Sequence, residues 1–130
     1  MILLIYIPTR EIDETQLTLS IGEWCPQFQI ERFETFGDFQ ERLKKPRCES
    51  TCAMLFAPDK QDLVDLLSIQ HLFRNVPIIL IISARNHDTI SMAHRLRPRF
   101  LSYFAPLSTK INLEEILAVL KKMSQTYGLL

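Results

Sequence analysis

The chain has 130 residues, 47% hydrophobic and 23% charged, with fifteen basic residues against fifteen acidic ones. That length suits one domain with a single good core, and the composition is ordinary for a globular protein. The balanced charge provides no overall field toward nucleic acid or a membrane surface. Three glycines and seven prolines exclude a low-complexity chain. No internal repeat or linker divides it, so residues 1–130 read as one domain.

The N-terminal stretch Met1 to Ile7 is apolar but does not read as a signal peptide. It lacks a basic start, is too short, and runs into Pro8-Thr9-Arg10-Glu11 without a small-residue cleavage site. Ile2 to Ile7 therefore reads as a buried first strand and the protein as cytoplasmic, with Tyr6 placing a hydroxyl near the strand end. The acidic residues Glu11, Asp13 and Glu14 suit the start of a helix. In that helix Leu17, Ile21 and Trp24 fall on one face, giving Trp24 a packing role, and Cys25-Pro26 ends it.

Phe28, Ile30 and Phe33, with Gln29 and Glu31 alternating outward, mark a second strand of the sheet-edge type. A short helix over 38–45 follows, with Phe39 and Leu43 inward, and Pro46 stops it. Cys52 to Ala57 is a continuously apolar third strand. Pro58-Asp59 opens a helix running to about Phe73, with Leu63, Leu66, Leu67, Ile69 and Leu72 apolar.

Val76 to Ser83 is uninterrupted by charge, as expected of a central parallel strand covered on both faces. Pro77 fits only near its start, since it has no N–H for the ladder. Asp88 reads as the N-cap of a helix over 89–96, with Ile90, Ala93 and Leu96 inward. Phe100 to Phe104 is the fifth strand. Asn112 with Glu115 is a capping-box variant before a helix from Leu113 to about Ser124.

Five strands alternating with five helices imply a parallel sheet with right-handed crossovers. At this length the expected architecture is a flavodoxin-like, doubly wound three-layer α/β sandwich with strand order 2-1-3-4-5. Chemistry in such sheets gathers at the C-terminal strand ends, so Ser83 is the first candidate position.

The remaining chemistry-bearing residues are sparse. Cys25, Cys48 and Cys52 are odd in number and have no export signal, so reduced thiols are expected. His71, His87 and His94 stand at no zinc-site spacing to them, and neither metal nor cofactor is expected. Ser83 with His87 lacks a third group for a nucleophilic triad, so no enzymatic activity is expected. Arg85, His87, His94, Arg95, Arg97 and Arg99 lie within fifteen residues, with Asp88 the only acid among them. They form either a solvated helix face or a docking surface for an acidic partner.

From Cys52 to Met123 the chain resembles a response-regulator receiver domain of two-component signalling, and the element order extends the likeness over nearly its whole length. Pro77 through Ser83-Ala84 resembles the receiver's fourth strand and its Thr/Ser-Ala switch. Ala105-Pro106 resembles the family's Lys-Pro pair, and Leu113-Glu114-Glu115-Ile116-Leu117 its last helix. The resemblance implies an acid pair after the first strand, a phosphoacceptor aspartate ending the third, and a lysine ending the fifth.

This chain instead has Tyr6-Ile7, Phe56 or Ala57, and Ala105 at those places, and only Ser83 survives. A hard cation needs clustered oxygen ligands, and a transferred phosphoryl group needs its charge neutralised. A degenerate, or pseudo-, receiver is therefore expected, signalling through protein-protein interaction without aspartyl phosphorylation. Asp59 is the one nearby acid, either a displaced acceptor or the cap of the third helix.

The family's partner face lies on the fourth helix, fifth strand and fifth helix. It implies a surface of Arg85, His94, Arg95, Arg97, Arg99, Ser102 and Phe104, for a protein partner or a second copy. Ser102 stands where the family's switch aromatic would, and Phe104 shares its strand face. The chain ends soon after the last helix, so no DNA-binding output domain is expected. The alternative reading is a nucleotide- or flavin-binding module with Pro8-Thr9-Arg10 at a helix N-terminus.

Overall fold

A computed structural model describes residues 1–8, 15–46, 50–83, 87–103 and 113–127. In chain order these form β1 (Ile2–Tyr6), α1 (Thr15–Trp24), β2 (Gln29–Phe33), α2 (Phe36–Lys44), β3 (Thr51–Ala57) and α3 (Lys60–Ser68). A 3₁₀ turn (Gln70–Phe73), β4 (Ile78–Ile82), α4 (His87–Arg95), β5 (Phe100–Tyr103) and α5 (Leu113–Tyr127) complete the order. The strands make one sheet in the order β2-β1-β3-β4-β5, and every pair is parallel. The expected doubly wound architecture is thus observed.

The apolar pattern explains the layers. β1, β3 and β4 are buried at every position, because both faces of the sheet centre are covered. On one face Leu4, Tyr6, Leu55, Ala57, Leu80 and Ile82 meet side chains of α2, α3 and α4, including Phe39, Leu63 and Ala93. On the other face Leu3, Ile5, Ile7, Met54, Phe56 and Ile81 meet Leu17 and Ile21 of α1 and Ile116 and Leu120 of α5. β2 lies at the edge with no fully buried residue, as its alternation predicts.

Several element ends differ from the sequence expectation. α2 starts at Phe36, because Thr35 caps it by accepting from the Asp38 N–H at 3.3 Å. α3 stops at Ser68 because Ile69 leaves helical geometry (φ −112°, ψ 20°), and the chain tightens into the 3₁₀ turn. α4 already contains His87 and Asp88, so Asp88 sits in the first helical turn and not at the N-cap.

Trp24 is 63% exposed, not packed. Cys25 closes the inner face of α1 in its place, four residues after Ile21, and its N–H donates to the Ile21 carbonyl at 2.8 Å. Asn112 and Cys48 lie outside the described residues.

Strand spacing is tied off at the N-terminal edge of the sheet. The Pro77 carbonyl accepts from Ala53 N–H at 2.9 Å, a bond that uses only what proline can offer. The Arg99 N–H donates to the Ile78 carbonyl at 2.8 Å and aligns β5. At the outer edge Glu31 on β2 clamps Arg42 on α2 with two bonds of 2.7 and 3.2 Å.

Candidate functional site at the C-terminal strand ends

Parallel register brings the ends of β1, β3 and β4 side by side. Tyr6 pairs with Leu55, and β3 continues two residues further to Ala57, which pairs with Ile82. Ser83 follows Ile82 directly. Tyr6, Ile7, Ala57 and Ser83 therefore stand at one edge.

Tyr6 and Ile7 are almost wholly buried, on opposite faces of the sheet. The Tyr6 ring stacks on Phe39 at a centroid distance of 5.0 Å and meets Phe36 edge-on at 6.4 Å. Phe39 continues the aromatic contacts to Phe33 and Phe73. Aromatic pairs in these geometries add about 0.5–1.5 kcal/mol beyond the area they bury. Ile7 turns into the core beneath α1 and α5, and its N–H donates to the Phe33 carbonyl at 2.9 Å. The end of β1 is thus filled by packing.

β3 ends at Ala57, so of the two positions left open by the sequence, Ala57 holds the strand end. Its methyl group is 2% exposed and faces the core under α2, α3 and α4. Phe56 lies one residue earlier, fully buried on the opposite face.

Ser83 is half-buried, and its hydroxyl donates to the Pro58 carbonyl at 2.5 Å. That bond ties the end of β4 to the loop after β3. It also gives a partner to a carbonyl that precedes the N-cap of α3 and so lies outside that helix's own hydrogen bonds.

Asp59 is the N-cap residue of α3, with extended backbone geometry, and its side chain is exposed. Its N–H donates to Asp62 Oδ2 at 3.0 Å, while the Asp62 N–H donates to the Asp59 carbonyl at 3.1 Å. Asp59 therefore occupies the capping position, one of the two roles open to it.

Burial pushes the Asp62 carboxyl above its ordinary value despite that hydrogen bond, and Asp59 and Asp65 add to the rise. Burial is also the main cause that pushes the Tyr6 hydroxyl up to about 12, with Asp62 and Asp65 contributing. This acidic run at spacings of three was visible in the sequence. Its approach to Tyr6 was not, since 56 positions separate Tyr6 from Asp62. Among the described residues no group of three His, Cys, Asp or Glu side chains lies where it could hold a metal ion.

Two solved structures of response-regulator proteins resemble this chain in fold. One is a CheY-like response regulator receiver domain protein from Methanospirillum hungatei JF-1, with a TM-score of 0.67 and 13% identity over 96% of this chain and 94% of that one. Another is a response regulator from Thermotoga maritima, with a TM-score of 0.62 and 12% identity over 95% and 97% of the two chains. The fold is that of a receiver domain. No family model and no curated protein matches the sequence.

The candidate partner surface is only partly assembled. His94 and Arg95 are exposed in the last turn of α4, and Arg97 and Arg99 are exposed in the link to β5. All four lie toward the N-terminal edge of the sheet, at the far end from Ser83, because α4 runs antiparallel to the strands. Ser102 does not belong to that surface: it is 4% exposed and pairs with Ile81 within the sheet. Arg85, Phe104 and Ala105 lie outside the described residues, as do Thr9 and Arg10 of the alternative ligand site. No helix among the described residues is long and apolar enough to cross a membrane.

Proposed function

We propose that this chain is a receiver-like signalling module that works by binding a protein partner, without aspartyl phosphorylation and without enzymatic activity. The observation that carries the reading is the content of the C-terminal strand ends: Tyr6, Ile7 and Ala57 are buried and packed where a receiver needs oxygen ligands. Aspartyl phosphorylation depends on a divalent cation bridging the acceptor and the phosphoryl donor, and a methyl group supplies neither acceptor nor ligand. The bond from Ser83 to the Pro58 carbonyl supports the same reading, since the hydroxyl available to a phosphoryl group already has an acceptor.

Incubation with acetyl phosphate and Mg²⁺, read by intact mass, tests the proposal. An unchanged mass is expected. A gain of one phosphoryl group would overturn it, with Asp59 the first residue to substitute. Output then rests on the exposed basic end of α4. If the partner is a second copy of the chain, His94→Glu with Arg95→Glu shifts sedimentation from dimer to monomer.

A further inference from the structure

We propose that the N-terminal edge of the sheet is a binding site for a ligand carrying linked phosphoryl groups. Three adjoining concavities of about 450, 400 and 340 Å³ open there, and Asn75 lines all of them. Together they form a trough across the starts of β3, β4 and β5. Its walls carry Lys44, Lys45, Arg74, Arg97 and Arg99, drawn from three separate segments, and no acidic residue among the described ones. A chain with fifteen charges of each sign gives no reason for such one-sided walls. Concave walls of one sign concentrate field and attract anions.

The residue types point to phosphate. Guanidinium groups present planar forks that match phosphoryl oxygens, and three of the five cations are arginines. Arg74 and Arg97 form no ion pair among the described residues, whereas Lys44 contacts Glu41 at 3.3 Å. Volumes of this size suit a small ligand. The aromatic wall, Phe73, is only 6% exposed, so no ring stands ready to stack a nucleic-acid base.

Backbone geometry supplies a second observation. Asn75 (φ 62°) and Arg97 (φ 55°) both adopt the left-handed conformation. Asparagine tolerates it, but arginine does so at a cost that glycine would avoid. Arg97 follows α4 with its N–H bonded to the His94 carbonyl at 3.0 Å, a helix-ending position where glycine is the usual residue. An arginine kept there at the expense of local stability is accounted for by a ligand that its side chain holds.

The proposal does not rest on the signalling reading, although Arg97 and Arg99 of the candidate partner surface line the trough, at the edge of the sheet opposite Ser83. Titration calorimetry of the full chain with inorganic tripolyphosphate at low ionic strength tests it, together with amide chemical shifts. Binding is expected, with the amides of Asn75 and Arg97 among those that move most. Arg97→Gly should weaken it about tenfold, the scale of one lost charge-assisted contact, while raising the Tm of the free protein by about 2–4 °C. Lys60→Gln, at the opposite edge, should leave affinity unchanged.

ATP binding as tightly as tripolyphosphate would assign recognition to the phosphate chain, and tighter binding would add the nucleoside. No binding at millimolar tripolyphosphate would overturn the proposal, as would equal weakening by Lys60→Gln. A deca-glutamate peptide that binds as tightly as tripolyphosphate would also overturn it, assigning the trough to acidic protein segments.

Discussion

Ala57→Asp puts a carboxyl at the strand end and asks whether the surroundings suit one. The site is 2% exposed, and its near neighbours in the sheet and under α3 are Ile82, Leu55 and Leu63. A carboxyl without partners in such a place has its pKa raised, so at neutral pH, above the raised value, the cost is the full shift plus that of burying a polar group. About 3 kcal/mol is expected at pH 7, two pKa units at 1.36 kcal/mol each plus a small polar remainder. For a chain of this size about 4 °C of Tm follows each kcal/mol, so the variant should melt about 12 °C below the parent.

The sign with pH is fixed. The folded-state pKa is raised, so the ionisation cost is absent below the unfolded value near 3.9 and grows as pH rises toward the folded value. Differential scanning calorimetry at pH 3.5 and pH 7, with and without Mg²⁺, measures it. A Tm within about 2 °C of the parent at pH 7, or a rise of several degrees on adding Mg²⁺, would refute the reasoning. Either result would mean that cations or ligating acids converge on Ala57.

Three further outcomes follow from the same contacts. Tyr6 titrates near 12 in the fold against an ordinary 10, so its contribution is complete below pH 10 and is lost as pH rises to 12, on the order of 2 kcal/mol. Tyr6→Phe should flatten that alkaline limb in denaturant titrations, and an unchanged limb would sink the assignment. The two bonds from Arg42 hold the Glu31 carboxyl below its ordinary value, so their contribution is present above about pH 4.3 and fades as pH falls. Glu31→Gln should cost about 0.5–1 kcal/mol at pH 7 and almost nothing at pH 2.5, read from urea midpoints. Phe39→Ala, which empties the fully buried ring between Tyr6 and Phe73, should cost about 3–5 kcal/mol, while Trp24→Ala should stay within about 0.5 kcal/mol.

The sheet was legible because burial on both faces leaves a mark that no local context disguises. Val76 to Ile82 and Cys52 to Ala57 carry no charge, and they supplied β4 and β3, which with β1 form the middle of the sheet. Helix ends were less legible, because they depend on single bonds. Thr35 with Asp38 carries a capping signal that the inward Phe39 and Leu43 outweighed in placing the start of α2. Trp24 lay at core spacing, but α1 ends there, and Cys25 filled the place a continued stripe would have given it. At the candidate site, residue identities could be read off the strand ends, but their partners could not. Ser83 and Pro58 are 25 residues apart, and neither holds any local cue to the other. The basic trough was half visible: Arg97 and Arg99 stood out, while Lys44, Lys45 and Arg74 reach the same edge only through the parallel register.

The two edges of the sheet differ in chemistry, and on the proposed signalling reading that bears on how the chain would respond. A switch at the C-terminal edge needs a group that gains charge and a hydroxyl free to follow it. Here the Ser83 hydroxyl is bonded to the loop after β3, and Tyr6 packs against Phe36 and Phe39.

The N-terminal edge keeps exposed charge and a backbone conformation with local cost at Arg97. It also joins the end of α4 to the rest of the domain, since Gln70 Nε2 donates to the Arg95 carbonyl at 2.5 Å, and Gln70 itself lines the trough. An anion that draws Arg74 and Arg97 together would act on the residues that hold α4's last turn, where His94 and Arg95 are exposed. Ligand binding can bias a partner surface only through contacts that differ between two arrangements. On this reading the bond between Gln70 and Arg95 is where such a difference would lie. Gln70→Ala should then remove any effect of tripolyphosphate on partner binding, measured at ligand concentrations that saturate the variant. A lasting effect in that variant would place the coupling elsewhere.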